Sequence, residues 1–252
     1  MNLLFTFYFL FLLFILLFNI IKNMKDDNFI YKYILLLTFL FFLYFIFPIN
    51  SENQYLKPLK KSLQVQMKNF FRKVIYILNE NEIEYVIFFG TLLGKCRHND
   101  IIPWDDDLDI CIQINEIPKL REIRWEKYGL RFIKNRRFFK IYDINNKNIN
   151  NRKFSWPFLD LFKYENVNNK NIRIYDVHKN LYISKNDLYP IKNTVFLGIK
   201  TNIPNRPKEI LDLTYGKNWE TECVSPDWDH TIEGKKNSKK FKCPKSILNY
   251  KC

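Results

Sequence analysis

Phe89-Gly90-Thr91-Leu92-Leu93-Gly94, then Arg97-His98, then Ile102-Pro103-Trp104-Asp105-Asp106-Asp107-Leu108-Asp109 is the stretch on which the fold turns. Four carboxylates fall within its last five positions. Folding gathers so many like charges only where a cation or solvent offsets their repulsion. From Asp107 the order Asp-Leu-Asp-Ile-Cys-Ile alternates. The spacing predicts a strand over 108–112 with Asp107 and Asp109 on one face and Leu108, Ile110 and Ile112 on the other. Two carboxylates converging in this way suit Mg²⁺ or Mn²⁺, which bind through one or two carboxylates plus substrate phosphates. An exposed acidic turn accounts for four aspartates, but not for two of them set in an apolar strand, where charge requires a partner. Asp105 and Asp106 fall in the turn after Pro103, where they are expected to cap it, orient it or contact substrate.

Working outward, Tyr85 to Phe89 reads as a buried strand, rich in aromatic and β-branched residues. Gly90-Thr91 then makes a strand-turn-helix junction. Glycine there lets backbone approach a phosphate, and amides at a helix start point toward it. Upstream, Leu63, Met67, Phe70, Val74 and Leu78 recur at helical spacing and predict an amphipathic helix whose stripe packs the core. Downstream, Phe158-Leu159-Asp160-Leu161-Phe162 sets one acid between apolar residues. Asp160 is either a buried, hydrogen-bonded structural residue or the group that completes a metal site. Helix, strand, turn and strands in this order predict an α+β (α/β-type) domain, a mixed sheet flanked by helices.

The chain has 252 residues, with 40 Lys and Arg against 26 Asp and Glu, a formal charge of +14. That balance favours anionic partners, although most of it reads as solvated background in a chain so rich in lysine. The length supports one sizeable core. Residues 1–50 stand apart. Leu3 to Ile21 and Phe29 to Phe47 are apolar runs, each near the ~20 residues that cross a bilayer. They are expected to form one or two membrane spans. A hairpin, a signal peptide followed by a span, and a single signal anchor starting at Met24 are the competing topologies. Lys57, Lys60, Lys61 and Lys68 argue for a cytoplasmic flank by the positive-inside rule. The catalytic domain is expected over 51–232, followed by a polar, Lys-rich and mobile tail over 233–252. The five cysteines include no close CxxC pair. Cys111 reads as a small buried hydrophobe. Cys223, Cys243 and Cys252 share the C-terminal segment with His230, where either a metal site or, in a lumenal domain, a disulfide is compatible.

Gly-Thr, a carboxylate pair two apart and a later lone acid are the signature of the nucleotidyltransferase superfamily. The longer string from Gly90 to Asp109 closely resembles the LicD family, which includes the fukutin and fukutin-related proteins. The resemblance runs from about Leu63 to Trp219 and takes in Tyr189-Pro190, Pro204-Asn205 and Tyr215-Gly216-Lys217-Asn218-Trp219. It implies a nucleotidyltransferase fold and transfer of a phospho-alcohol, of the phosphocholine or ribitol phosphate class, from a CDP-linked donor to a glycan hydroxyl. Carried onto this chain, it makes Asp107 and Asp109 metal ligands and Asp160 the third acid, either sharing a second metal or taking the acceptor proton. Gly90 and Thr91 approach the donor phosphates, and Arg97 is a phosphate contact through its guanidinium fork. Mg²⁺ or Mn²⁺ is the implied cofactor. A membrane and a glycan or glycoconjugate are the implied partners, with no nucleic acid expected. The implied location is the Golgi or endoplasmic reticulum, catalytic domain lumenal, in a eukaryote. Lys95 and Cys96 depart from the small and aliphatic residues usual after the second glycine, and the Asn-rich stretch 145–153 is neutral to the family.

Three rivals share part of this pattern. A nucleotidyltransferase acting on RNA or a small molecule would use the same Gly-Thr and aspartates, but the apolar amino terminus and Pro103-Trp104 disfavour it. A glycosyltransferase would use Asp107-Leu108-Asp109 alone, leaving Gly90-Thr91 and Asp160 unexplained. A non-catalytic membrane scaffold would have no use for three intact acids. Nearby residues are open to plain roles: Tyr215 and Trp219 are structural, Trp104 packs in preference to stacking on a base, Arg136, Arg137 and Lys140 form a solvated basic face in preference to facing phosphates, and His98 either packs or contacts substrate.

Overall fold

Lys61–Glu80 forms α1, and its inner stripe of Met67, Phe70, Phe71, Val74, Ile75, Ile77 and Leu78 is buried as the apolar spacing predicts. The computed structural model describes residues 57–135, 137–176 and 179–252, together with Asn19, Tyr33, Leu37 and Phe39, which are helical. Apart from those four positions the two expected membrane spans lie outside the described residues. Among the described residues no helix is long and apolar enough to cross a membrane. Residues 1–51 form a unit separate from 52–252.

After α1 come β1 (Tyr85–Ile87), α2 (Phe89–His98), β2 (Asp109–Gln113) and α3 (Ile117–Glu122). Then follow β3 (Leu130–Asn135), β4 (Phe138–Asp143), β5 (Phe158–Asn166), β6 (Asn171–Tyr175) and β7 (Leu181–Ser184). These seven strands make one mixed sheet. Its order is β1-β2-β5-β4-β3, and β6 continues from the far half of β5 to β7. Only β2 and β5 run parallel; β1 on β2, β4 on β5 and β3 on β4 are antiparallel. Parallel strands require a crossover, which the chain supplies through α3 and the β3–β4 hairpin. Next come α4 (Lys185–Leu188), the hairpin of β8 (Lys192–Phe196) and β9 (Ile199–Ile203), and α5 (Pro207–Tyr215). Phe196 meets Phe71 of α1 edge-on at 5.5 Å, tying the β8–β9 hairpin to the core.

Two expected boundaries move. The first strand ends at Ile87 and not at Phe89, because Phe88 is extended and Phe89 already opens α2. Phe89 takes φ +41°, a left-handed conformation that an aromatic side chain seldom adopts. It is held there edge-on by Phe88 at 5.0 Å and Phe162 at 4.8 Å. Backbone strain of this kind persists only where packing over-determines it, and here it sits at the turn before Gly90. The second strand begins at Asp109, so Asp107 lies just before the strand and not on its face. Pairing nonetheless reaches back one residue, since the Asp160 amide donates to the Leu108 carbonyl at 2.7 Å.

The segment 233–252, expected to be a mobile tail, is tied to the domain. It carries β12 (Gly234–Lys235), paired with β11 (Trp228–Asp229), and β13 (Lys240–Lys242), paired with β10 (Glu222–Val224). Disulfides join Cys223 to Cys243 and Cys96 to Cys252. The Asn249 and Lys251 amides donate to the carbonyls of Arg97 and Cys96. Composition suggested mobility because the segment is polar; covalent links and backbone pairing hold it without a core of its own. Cys111 is the buried free thiol that the sequence suggested. A disulfide stabilises chiefly by restricting the unfolded chain. Cys243→Ser is expected to lower the unfolding free energy by about 2–4 kcal/mol, read from the midpoint of denaturant unfolding. An unchanged midpoint would show that β10 and β13 hold without the link.

Candidate active site

Register places the chemistry. Asp109 of β2 lies opposite Asp160 of β5, and Asp160 lies opposite Lys140 of β4. Residues opposite one another in adjacent strands project from the same face, so these three side chains form a row across the sheet. Asp107 reaches the row from the preceding turn. Oxygens of Asp107, Asp109 and Asp160 lie within 4.8 Å of one another.

Gly90 and Thr91 lock Asp109 into this row. The Gly90 amide donates to Asp109 Oδ2 at 3.1 Å, and the Asp109 amide donates to Thr91 Oγ1 at 2.8 Å. Both residues were expected at the donor phosphates; in this structure their polar groups face Asp109. The need for glycine is steric: a Cβ at Gly90 would lie 2.8 Å from Asp105 Oδ2 and 3.3 Å from Asp109 Oδ2. Gly94, one turn on, is as constrained, since a Cβ there would meet the Asp100 carbonyl oxygen at 2.7 Å.

Asp105 is half-buried and Asp109 almost fully buried. Burial, then the neighbouring carboxylates, push both acids well above the usual carboxylate range. Burial also raises Asp160 to about 6, against the pull of Lys140. Lys140 corrects the sequence reading. It is 2% exposed, not part of a solvated face, and its Nζ lies 2.5 Å from Asp160 Oδ1. The Phe158 and Phe154 ring centres lie 3.2 and 4.7 Å from the same ammonium. A lone lysine in Phe138-Phe139-Lys140-Ile141-Tyr142 mirrors the lone acid in 158–162; each charge set in an apolar strand answers the other.

Asp106 turns away from the row. Its Oδ2 accepts from the His230 amide at 3.1 Å and lies 3.7 Å from Lys236 Nζ, and its carbonyl accepts from Trp156 Nε1 at 2.6 Å. Asp106 Oδ1 is buried with no hydrogen-bond partner among the described residues. Expected at the substrate, Asp106 anchors the β11–β12 hairpin, and that hairpin delivers His230 to the site. His230 Nε2 lies 3.3 Å from Asp107 Oδ2, and its Nδ1 lies 3.2 Å from Glu233 Oε1. Burial opposes its charged form, but Asp107, Glu233 and Asp106 outweigh that and raise the imidazole to about 9. Asp106, Asp107 and His230 also present ligand atoms within 4.8 Å of one another.

Arg97 was expected to contact phosphate. Its Nε donates to His98 Nε2 at 2.9 Å, and its Nη1 donates to the carbonyls of Trp219 and Glu222 at 2.8 and 3.1 Å. Those donors hold the 219–222 turn, and the side chain is buried. His98 is a packing residue: its Nδ1 faces the Ile247 carbonyl at 2.6 Å, and burial lowers it to about 4. Trp104 packs as expected, edge-on to His98 and Phe241, with Nε1 donating to the Val224 carbonyl. Beside the acids opens a cleft of about 440 Å³, bordered by Gly90, Trp104, Asp105, Tyr215, Trp219 and Lys240 among others.

A mixed sheet that gathers three acids beside a Gly-Thr helix start defines a nucleotidyltransferase-type domain. Residues 82–206 match the LicD/FKTN/FKRP nucleotidyltransferase domain, and this part of the chain belongs to that family. An uncharacterised protein of Rickettsia typhi is 33% identical over 156 residues, 61% of this chain and 43% of that protein. Mouse ribitol 5-phosphate transferase FKRP is 26% identical over 154 residues, 58% of this chain and 30% of the relative. The lipopolysaccharide cholinephosphotransferase LicD of Haemophilus influenzae is 28% identical over 109 residues, 39% of this chain and 41% of the relative. The chain thus spans less than half the length of each of these three relatives.

Proposed function

We propose that this chain is a metal-dependent phosphotransferase that moves a phospho-alcohol from a CDP-linked donor to a glycan hydroxyl. The observation that carries the proposal is the convergence of Asp107, Asp109 and Asp160 beside the Gly90 turn. The donor set fits a hard divalent cation. Three carboxylates with ligand atoms this close, two of them pushed toward protonation, are poorly compensated by Lys140 and His230 alone. Asp107, Asp109 and Asp160 would hold Mg²⁺ or Mn²⁺. When bound, such an ion neutralises charge on a pyrophosphate and on the group in transfer.

The chain's own residues supply placement. Gly90 and Thr91 fix the Asp109 carboxylate, Lys140 fixes Asp160, and Asp106 fixes the loop that sets His230 against Asp107. The adjoining cleft, with Tyr215 and Lys240 on its border, offers room for donor and acceptor. The acceptor oxygen forms a bond to the phosphorus bearing the alcohol. The bond from that phosphorus to the bridging oxygen breaks, and CMP and a proton leave. Positioning and electrostatics carry most of such a reaction.

In this proposal the catalytic domain works in an oxidising compartment such as the lumen of the secretory pathway, a reading that the two disulfides support. The apolar runs of residues 1–50 would attach it to the membrane. CMP release from CDP-ribitol, CDP-choline and CDP-glycerol, each with and without Mn²⁺, tests the proposal. One of the three is expected to give metal-dependent CMP. Turnover of nucleoside triphosphates with none of the CDP compounds used would favour the nucleotidyltransferase alternative.

A further inference from the structure

We propose that Asp106, Asp107 and His230 form a metal site of their own, apart from the acidic row, that takes a divalent ion of the Zn²⁺ class and fastens the β11–β12 hairpin to the acidic turn. The site shares Asp107 with the row but does not depend on the reaction performed there, and it leaves the ion content of the row open. Its three residues present ligand atoms within 4.8 Å of one another. One imidazole nitrogen with carboxylate oxygens suits Zn²⁺, whereas an all-oxygen set suits Mg²⁺.

Two observations point to an ion here. The first is Asp106. Its side chain is 2% exposed, yet Oδ1 has no hydrogen-bond partner among the described residues. The His230 amide and Lys236 Nζ both lie on the other oxygen, Oδ2. A bare, buried carboxylate oxygen is costly, and a cation is its natural partner. The second is the way His230 is held. Its Nδ1 lies 3.2 Å from Glu233 Oε1, Arg152 stands 3.5 Å from Glu233 Oε2, and the Phe158 ring meets the imidazole edge-on at 5.6 Å. Metal-bound histidines are oriented in this way, one ring nitrogen on a carboxylate and the other on the ion. Nε2 then lies 3.3 Å from Asp107 Oδ2. A direct charge-assisted hydrogen bond is shorter, about 2.7–2.9 Å. Two ligands bonded at about 2.1 Å to a tetrahedral ion lie roughly 3.4 Å apart. An imidazolium paired with Asp107 accounts for His230, but it leaves Asp106 Oδ1 bare. Nε2 gives up its proton to take the ion. His230 and Asp107 are 25% and 17% exposed, which gives the ion a way in. Three protein ligands leave a fourth position for water or a substrate oxygen.

Zn²⁺ titration of the full-length chain in excess Mg²⁺, followed by calorimetry and by X-ray absorption at the zinc edge, tests this. Mg²⁺ satisfies an all-oxygen row and competes poorly for imidazole. The wild type is expected to bind Zn²⁺ with one imidazole nitrogen in its coordination shell, and His230→Gln is expected to lose that ion. Glu233→Gln keeps all three ligands and is expected to weaken binding by about 10–100-fold, a change that a hairpin merely packed on the turn would not give. Asp106→Asn can still accept from the His230 amide. It is expected to weaken binding by at least ~10-fold, and it decides the matter should His230→Gln not fold. A wild type that binds no Zn²⁺, zinc without an imidazole ligand, or unchanged binding in His230→Gln or Asp106→Asn overturns the site. Metal-dependent CMP release without imidazole-bound zinc removes this site alone. Imidazole-bound zinc with no CMP from any of the CDP compounds removes the transferase reading and leaves the site standing.

Discussion

Asp109→Asn is expected to lower CMP release from the productive CDP-linked donor by at least ~10³-fold, the scale of a lost charge-stabilising ligand. The fold is expected to survive. Asparagine keeps the shape of the side chain and can still face the Gly90 amide and the β2–β5 ladder. The metal-free protein is expected to become more stable, and the sign follows from the electrostatics. Burial and the neighbouring acids raise Asp109 above its usual range, so the ionised form destabilises the folded state at neutral pH. Removing that charge relieves the repulsion. For a domain of this size each kcal/mol gained raises the unfolding temperature by about 2–4 °C. The diagnostic pattern is a higher metal-free unfolding temperature together with loss of the stabilisation that Mn²⁺ gives the wild type. A variant that unfolds at the wild-type temperature, still gains stability from Mn²⁺ and still releases CMP would contradict the role of Asp109.

Gly90→Ala is the second large effect. The added methyl would stand 2.8 Å from Asp105 Oδ2 and 3.3 Å from Asp109 Oδ2, inside normal contact distance for the first and tight for the second. Asp105 can swing away, but Asp109 is pinned from two sides by the Gly90 amide and by Thr91. The strain therefore falls on the placement of the Asp109 carboxylate. A misplacement approaching 1 Å costs about 10²-fold in rate, so kcat is expected to fall by roughly 10–100-fold. Stability should change little, since one flexible carboxylate absorbs most of the clash. The measurement is kcat and KM for the same donor alongside thermal unfolding. An unchanged kcat would mean that the turn does not set Asp109.

Much of this site is legible in the sequence. Alternation after Asp107 and the lone Asp160 between apolar residues each require a buried acid, and β2 and β5 bring those acids side by side. Local pattern marks which residues are buried; it does not report which way a polar group turns at a loop. Asp106 and Asp107 are adjacent in the sequence, yet one faces the β11–β12 hairpin and the other the acidic row. Arg97 looked free for phosphate, because nothing local shows that carbonyls of residues 219 and 222 need its donors. Lys140 could have been found: a charge set in an apolar strand is the same signal that marked Asp160, with the opposite sign. His230 could not, since more than a hundred residues separate it from Asp107 and the link depends on how the C-terminal segment is tied back.

The same tie explains why a polar segment is ordered. The segment 233–252 has few apolar residues to bury, and composition alone predicts mobility. Two disulfides, the β10–β13 pairing and the His230–Glu233 contact supply what a core does not. The C-terminal segment thereby becomes one wall of the site.

Anomalous diffraction from Mn²⁺-soaked crystals is the most direct measurement. The expected result is a manganese peak with carboxylate oxygens of Asp107, Asp109 and Asp160 all at bonding distance, about 2.0–2.2 Å. A peak bound elsewhere, or no peak among these three side chains in ordered protein, would contradict the metal centre on which the proposed transfer depends.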